Sequence, residues 1–523
     1  MSEERRTVLR AVCDTVVPSV ERADDPEGFW ARCASDVGAP QTLEGLIALM
    51  PPLQQDGLAE LLDGLGEVGF VTASQRSREQ LLHNVAALGP AAAAGVGALA
   101  GLTLFLAYGA PDPQTGHNAF WRSFGYPGPT SLPPAEPKPI TPLVPTGDEL
   151  ALDADVCVVG SGAGGGLIAA ELAASGLKVI VLEAGGYFNE SDFNQLELPA
   201  YQDMYWRGGP VPTADLNVSL YAGAGLGGGT VINWTNSLRT RPWVREQWAR
   251  EHGLEGVDGA DYDAHMDAIF ERLLVNDRCS DLNGTQTRMK EGAEALGWSF
   301  KTILRNIDEQ RYDPQTAGYI GFGDQSGAKQ SVAKTYLVDA VENGAEVVVR
   351  CQAQRVLTEG GRASGVEGLY ADPVSGQSAR VTVRAPRVVV ACGALESPAL
   401  LLRSSIGGPA VGQNLHLHPC TAIMGIYGED QRAWWGAPQA ALVDEFADVE
   451  DGYGFLIEST QYAVGTGAAA VPFTSGEQHK QLMEGFRHSA TFIGLLRDRG
   501  AGMVTVDEAG QAVPLYSLDD ELD

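Results

Sequence analysis

The chain has 523 residues, 36 basic against 67 acidic side chains and a net charge of −31, with 44% apolar and 20% charged residues, ordinary values for a globular protein. That length predicts roughly two to four domains around a large core, and the acidic excess argues against nucleic acid or an anionic membrane surface as a partner. Seven scattered cysteines (13, 33, 157, 279, 351, 392, 420) without a CxxC pair predict reduced thiols of a cytoplasmic protein, with neither a disulfide framework nor a metal site.

The N-terminus carries mixed charges, and its apolar residues (Val8, Leu9, Val12, Cys13, Val16) have helical spacing, which is not the pattern of a signal peptide. Further helices are predicted where Leu43, Leu46, Ile47 and Met50, then Leu58, Leu61, Leu62 and Leu65, recur at spacings of three and four. Residues 84–110 carry no charge and are long enough to span a bilayer. Their Ala/Gly richness, Pro90 near the start and sparse basic flanks favour a buried or surface-docked helix over a membrane span. The proline-dense stretch 126–145 cannot continue a helix and reads as a linker or a wrapping arm.

Residues 155–186 form a complete strand–turn–helix–strand unit. Val156–Val159 is an apolar strand, Gly160, Gly162 and Gly165 spell GxGxxG, a small-residue helix follows, and Val179–Leu182 ends on Glu183. Such glycines let the backbone turn tightly and approach a pyrophosphate, which the helix N-terminus favours with free N–H groups and a positive dipole. Glu183, 18 residues past Gly165, suits the ribose hydroxyls and would repel a 2′-phosphate. With 64 glycines in the chain, the triple alone says little. A second match at Gly223, Gly225 and Gly228 has no acidic-ended strand after it, so the context carries the first.

Downstream, the alternation of strands and helices predicts an α/β fold. Strands are expected at 346–350, at Ser378–Arg384 and at 387–391, the last ending in Cys392-Gly393-Ala394 and followed by a helix at 397–403. Small residues at the carboxyl end of a buried strand admit a ligand, so 387–391 is expected as a late strand of the nucleotide-binding sheet. After residue 425, strand candidates at 454–458 and 502–507 between polar loops suggest an antiparallel sheet facing a substrate.

Three motifs in order carry a family resemblance: the 155–186 unit, GAGLGGGTVINWTNSLRTRPW at 223–243 and GALESPALLLRSSIG at 393–407, supported by VGQNLHLHP at 411–419. Together they resemble the glucose–methanol–choline (GMC) flavoprotein oxidoreductases, within them the long-chain (fatty) alcohol oxidase branch. The helical N-terminal extension is similar to that of this branch. The resemblance implies FAD, where the first motif alone also admits NAD. It implies Gly160, Ser161, Gly162, Ala163 and Gly165 at the pyrophosphate, Glu183 and Ala184 at the adenosine, and Ala353 where the family usually has a valine against adenine. Gly227, Gly228, Gly229 and Asn233 would pass beside the isoalloxazine ring, with Gly393 at the crevice. The corresponding domains are a helical extension (1–125), a Pro-rich linker (126–150), an FAD-binding domain (151–424) and an incomplete substrate-domain portion (425–523).

The implied reaction is oxidation of the CH–OH group of a long-chain or bulky apolar alcohol by hydride transfer. In the family the base is a histidine near the C-terminus, in a segment that YSLDDELD at 516–523 approaches without reaching. Of eight histidines, His416 and His418 match a structural family position, and His479 and His488 are expected as packed or solvated side chains. No catalytic residue is therefore assigned. The expectation divides among a truncated product, one half of a split enzyme completed by a second polypeptide, and a non-catalytic flavoprotein.

Overall fold

A computed structural model describes residues 1–25, 27–215 and 217–518; the acidic tail 519–523 lies outside the described residues. Five helices come first: Glu3–Val16, Ala39–Leu49, Pro52–Glu67, Gln75–Ala86 and Pro90–Gly109. The first starts at Ser2, whose side chain accepts from the Arg5 N–H, and buries the predicted face of Val8, Leu9, Val12, Cys13 and Val16. The last is long and apolar enough to cross a membrane. In this structure its C-terminal half is buried, packed on the short helix Val464–Ala470 from far along the chain.

This extension is not a separate ball of helices. Its core side chains, such as Leu9, Leu62 and Leu104, belong to one apolar cluster that also holds Tyr319, Val464 and Phe486. The Lys480 ammonium is buried and donates to the Phe29, Trp30 and Arg32 carbonyls, tying the two regions further. The proline-dense stretch is a wrapping arm. Thr130 N donates to Gln195 Oε1 (2.6 Å), Ser131 Oγ to Gln325 Oε1 (2.5 Å) and Leu143 N to Val347 O (2.7 Å).

The central sheet is parallel throughout, in the order Val388–Val390, Val156–Val159, Val179–Leu182, Glu346–Val348. Helix Ala163–Ala174 joins the middle pair, and the late apolar strand stands where expected, beside the strand that leads into the glycine turn. Ser378–Arg384 is a strand of another sheet, parallel to Glu149–Asp153 and antiparallel to Arg362–Ala371, which in turn pairs with Cys351–Glu359. The last two form a hairpin over the two-residue turn Gly360-Gly361, a signal the periodicity analysis passed over.

The antiparallel sheet has five strands in the order Cys420–Ile426, Ser489–Leu496, Phe455–Ser459, Ala441–Val443, Lys301–Thr302. The candidate at 454–458 is its third strand, but the sheet begins before residue 425 and takes an edge strand from residues 301–302. The candidate at 502–507 pairs elsewhere, in a small sheet with Gln413–Leu415 and Ala512–Leu515. Long-range strand pairing leaves no mark in local composition, so these assignments needed the folded chain.

Candidate functional site

Two glycine loops meet at the carboxyl ends of the central strands. Gly160 has φ +93°, and a Cβ there would collide with the Ala391 carbonyl at the end of the neighbouring strand, so only glycine makes the turn. Gly228 has φ +55°, and a Cβ there would come within 2.7 Å of Gly162 Cα, which places the second loop directly on the first. Ser161 fastens the junction: its Oγ accepts from Gly227 N (3.0 Å) and donates to Glu183 Oε2 (2.6 Å). The Glu183 carboxylate also accepts from Ser161 N (3.1 Å) and Gly185 N (2.9 Å). Burial raises its pKa, opposed by these hydrogen bonds.

The floor of the second loop is held by a lysine the sequence analysis did not single out. Lys329 is buried, and its Nζ donates to the Val231 and Asn233 carbonyls at 2.7 and 2.5 Å. Burial pushes its pKa well below the ordinary lysine value.

A cavity of about 1960 Å³ opens from these loops and runs to the face of the antiparallel sheet. Gly160, Ser161, Gly162, Ala163, Glu183 and Ala184 line one end, with Gly228, Gly229, Asn233, Ala353 and Gly393 further along. Two predicted residues do not line it. Gly165 packs against the Gly160 carbonyl and Ala391, and Gly227 against Ala333 and Val231, so their small size serves close packing. The other end is predominantly apolar, with Met424, Leu456, Ile493, Leu495 and Phe486 in its walls.

His416 and His418 also line the cavity, and His416 Nδ1 lies 3.1 Å from the buried Asp498 carboxylate. That carboxylate accepts from Leu417 N and the Tyr516 hydroxyl as well. His479 is a packed core histidine with Nε2 at the Ala468 carbonyl (2.9 Å), and burial lowers its pKa. A carboxylate overlooked in the sequence, Glu458, faces the cavity from the middle of the antiparallel sheet. Its signal was a single acid in the apolar run Phe455–Ser459.

The donor set fits a flavin dinucleotide. Gly162 provides no side-chain cap to the helix Ala163–Ala174, and Cys392 none to the helix Gly393–Arg403, so the first-turn N–H groups of both have no capping side chain. A Cβ at Gly164, Gly229 or Gly393 would meet no protein atom within 4 Å, which leaves bare backbone facing the cavity. The volume exceeds the roughly 300–1,000 Å³ typical of a single-ligand pocket and can hold a dinucleotide with a second molecule.

A parallel sheet, a glycine turn and an acid-ended strand opening on such a cavity define a dinucleotide-binding α/β protein. Residues 201–420 match the GMC oxidoreductase family model. The chain is 34% identical to the long-chain-alcohol oxidase FAO4B of Arabidopsis thaliana over 68% of its own length and 48% of the relative's. It thus spans about half the length of the long-chain-alcohol oxidases it matches. It is 32% identical to an uncharacterized GMC-type oxidoreductase of Mycobacterium tuberculosis over 91% of its own length and 74% of that protein's. Among solved structures, pyridoxine 4-oxidase from Mesorbium loti shares the fold, with a TM-score of 0.52 and 17% identity over 69% of this chain and 75% of that one. The chain belongs to the GMC oxidoreductase family, and its cofactor is FAD.

Proposed function

We propose that this chain provides the flavin site and the alcohol-facing cavity of an oxidoreductase that converts the CH–OH group of a long-chain or bulky apolar alcohol to a carbonyl. One observation carries the reading: a single cavity joins a backbone-lined, glycine-rich end to a predominantly apolar end. The relatives that are long-chain-alcohol oxidases support it. When bound, FAD supplies the two-electron oxidant that receives hydride from the carbinol carbon. Gly160, Ser161, Gly162 and Ala163 would hold its pyrophosphate, Glu183 and Ala184 its adenosine, and Gly228, Gly229 and Asn233 the ring, with Ala353 and Gly393 completing the wall. The apolar walls exclude water and align an alkyl chain. The seven free cysteines support a cytoplasmic setting.

The test is anaerobic bleaching of the flavin in the reconstituted chain. Dodecanol is expected to bleach it and ethanol to leave it yellow. A second reading, action together with a further polypeptide, is favoured by the edge strand Cys420–Ile426, which exposes Ile423 (71%) and Ile426 (51%) beside the cavity wall. Bleaching only in a co-purified complex would select that reading. A yellow protein that no alcohol bleaches, alone or in complex, would leave a flavin-binding subunit without catalysis.

A further inference from the structure

The inner face of the antiparallel sheet is uncharged except at one point. Side chains alternate along its strands, and those turned to the cavity include Ala422, Met424, Leu456, Ile493 and Leu495. Among the described residues of the strands Cys420–Ile426, Ser489–Leu496 and Phe455–Ser459, the only charged side chain facing the cavity is Glu458. It is 97% buried by surface area (3% exposed), pairs across the sheet with Ile493 and Leu442, and has no ion-pair partner among the described residues. A carboxylate buried without a counter-ion carries a desolvation cost.

A polar relay links it to the segment that follows the second glycine loop. Gln439 Nε2 donates to Glu458 Oε2 (2.7 Å), and Asn236 Nδ2 donates to Gln439 Oε1 (2.5 Å). Asn236 stands three residues past Asn233. Five buried polar atoms of cavity-lining residues have no hydrogen-bond partner among the described residues: Asn236 Oδ1, which belongs to the relay itself, Thr285 Oγ1, Arg403 Nε, Gln461 Nε2 and the Tyr462 hydroxyl. Gln461 is itself 92% buried (8% exposed). Thr285 adjoins Gln286, whose amide donates to Ser459 Oγ next to Glu458. Unsatisfied donors and acceptors in a buried site mark the place of a polar ligand group.

We propose that Glu458 is the hydroxyl-binding residue of the cavity, its carboxylate accepting a hydrogen bond from the O–H of a neutral alcohol whose alkyl chain lies along the apolar sheet face. The proposal rests on the alcohol reading above and adds the residue that fixes which end of the alcohol points toward the Asn233 segment. Burial lifts the Glu458 pKa to about 7, so acid and carboxylate are comparably populated at neutral pH and the accepting carboxylate predominates above it, where the binding test belongs.

The test is calorimetric binding of 1-octanol, its methyl ether and octylammonium to the FAD-loaded full chain and to the Glu458→Leu and Glu458→Gln variants. The ether keeps the oxygen and chain but has no O–H to donate. The native protein is expected to bind the alcohol at least about tenfold more tightly than the ether, as befits a hydrogen bond to a charged acceptor. That preference should vanish in Glu458→Leu and survive in part in Glu458→Gln, whose carbonyl still accepts. Circular dichroism and the bound-flavin spectrum establish that each variant is folded. An alcohol preference that persists in Glu458→Leu overturns the proposal and leaves the alcohol reading standing. Tightest binding of octylammonium overturns it by making Glu458 a counter-ion. If the native protein binds none of the three, the apolar-alcohol reading fails, and the proposal fails with it.

Discussion

Lys329 and Glu458 are two buried ionisable groups of the site, and they act in opposite ways. Lys329 satisfies the Val231 and Asn233 carbonyls, so Lys329→Met strands one buried and one part-buried acceptor and is expected to destabilise the chain by about 1–3 kcal/mol. Because those carbonyls belong to the second glycine loop, the same variant should retain less FAD after gel filtration. Full flavin retention would mean that the loop keeps its shape unaided. Glu458 instead carries a desolvation cost. Its pKa rises from the usual 4.5 to about 7 on folding, so the folded chain binds more protons than the unfolded chain between those values. Stability from this group is therefore fully present below about pH 4.5 and is lost as pH rises through 7, by roughly 3 kcal/mol. Glu458→Gln removes the titration. Its melting temperature relative to the native chain should rise from pH 5 to pH 8, and a difference flat with pH would show that Glu458 titrates as an exposed acid.

At the scale of elements, the helical extension is joined to the α/β body through backbone contact. A Cβ on Gly109, the last residue of the helix Pro90–Gly109, would stand 2.6 Å from Gly465 Cα in the helix Val464–Ala470. The same helix start is gripped by the buried Glu197, whose carboxylate accepts from Gly465 N (2.7 Å) and Thr466 N (3.0 Å). Gly109→Val must push the helices apart and is expected to cost about 1–3 kcal/mol or more, from overpacking and lost contacts. Limited proteolysis should then release an N-terminal helical fragment that the native chain protects. Equal protection in both proteins would mean that the docking does not depend on this contact. Three of the elements that build the cavity were legible locally: the glycine turn, the acid-ended strand and the helix expected at 397–403, which in the structure starts earlier, at Gly393. The hairpin over Gly360-Gly361 was also written locally and went unread, because its strands alternate imperfectly.

At the scale of the whole molecule, one apolar cluster runs from the N-terminal helices to Phe486, and one cavity draws its walls from both the parallel and the antiparallel sheet. A ligand spanning that cavity should stabilise both sheets together. FAD at a hundredfold excess over its dissociation constant is expected to add about 2.7 kcal/mol and to shift a single calorimetric transition upward. Two transitions, with only one moved by FAD, would separate the sheets energetically. The sequence by itself determined the nucleotide unit and the helical character of the first 110 residues, which rest on spacing within a short window, and the family, which rests on several such local motifs in order along the chain. Local glycine chemistry and helical periodicity are properties of neighbours in the chain. Only the tertiary structure decided that Gly165 and Gly227 pack while Gly162 and Gly228 form the cradle, that residues 301–302 join a sheet built mostly after residue 420, and that Glu458 looks into the cavity. Those outcomes depend on which distant segments meet, and burial, register and hydrogen-bond partnership exist only once they have met.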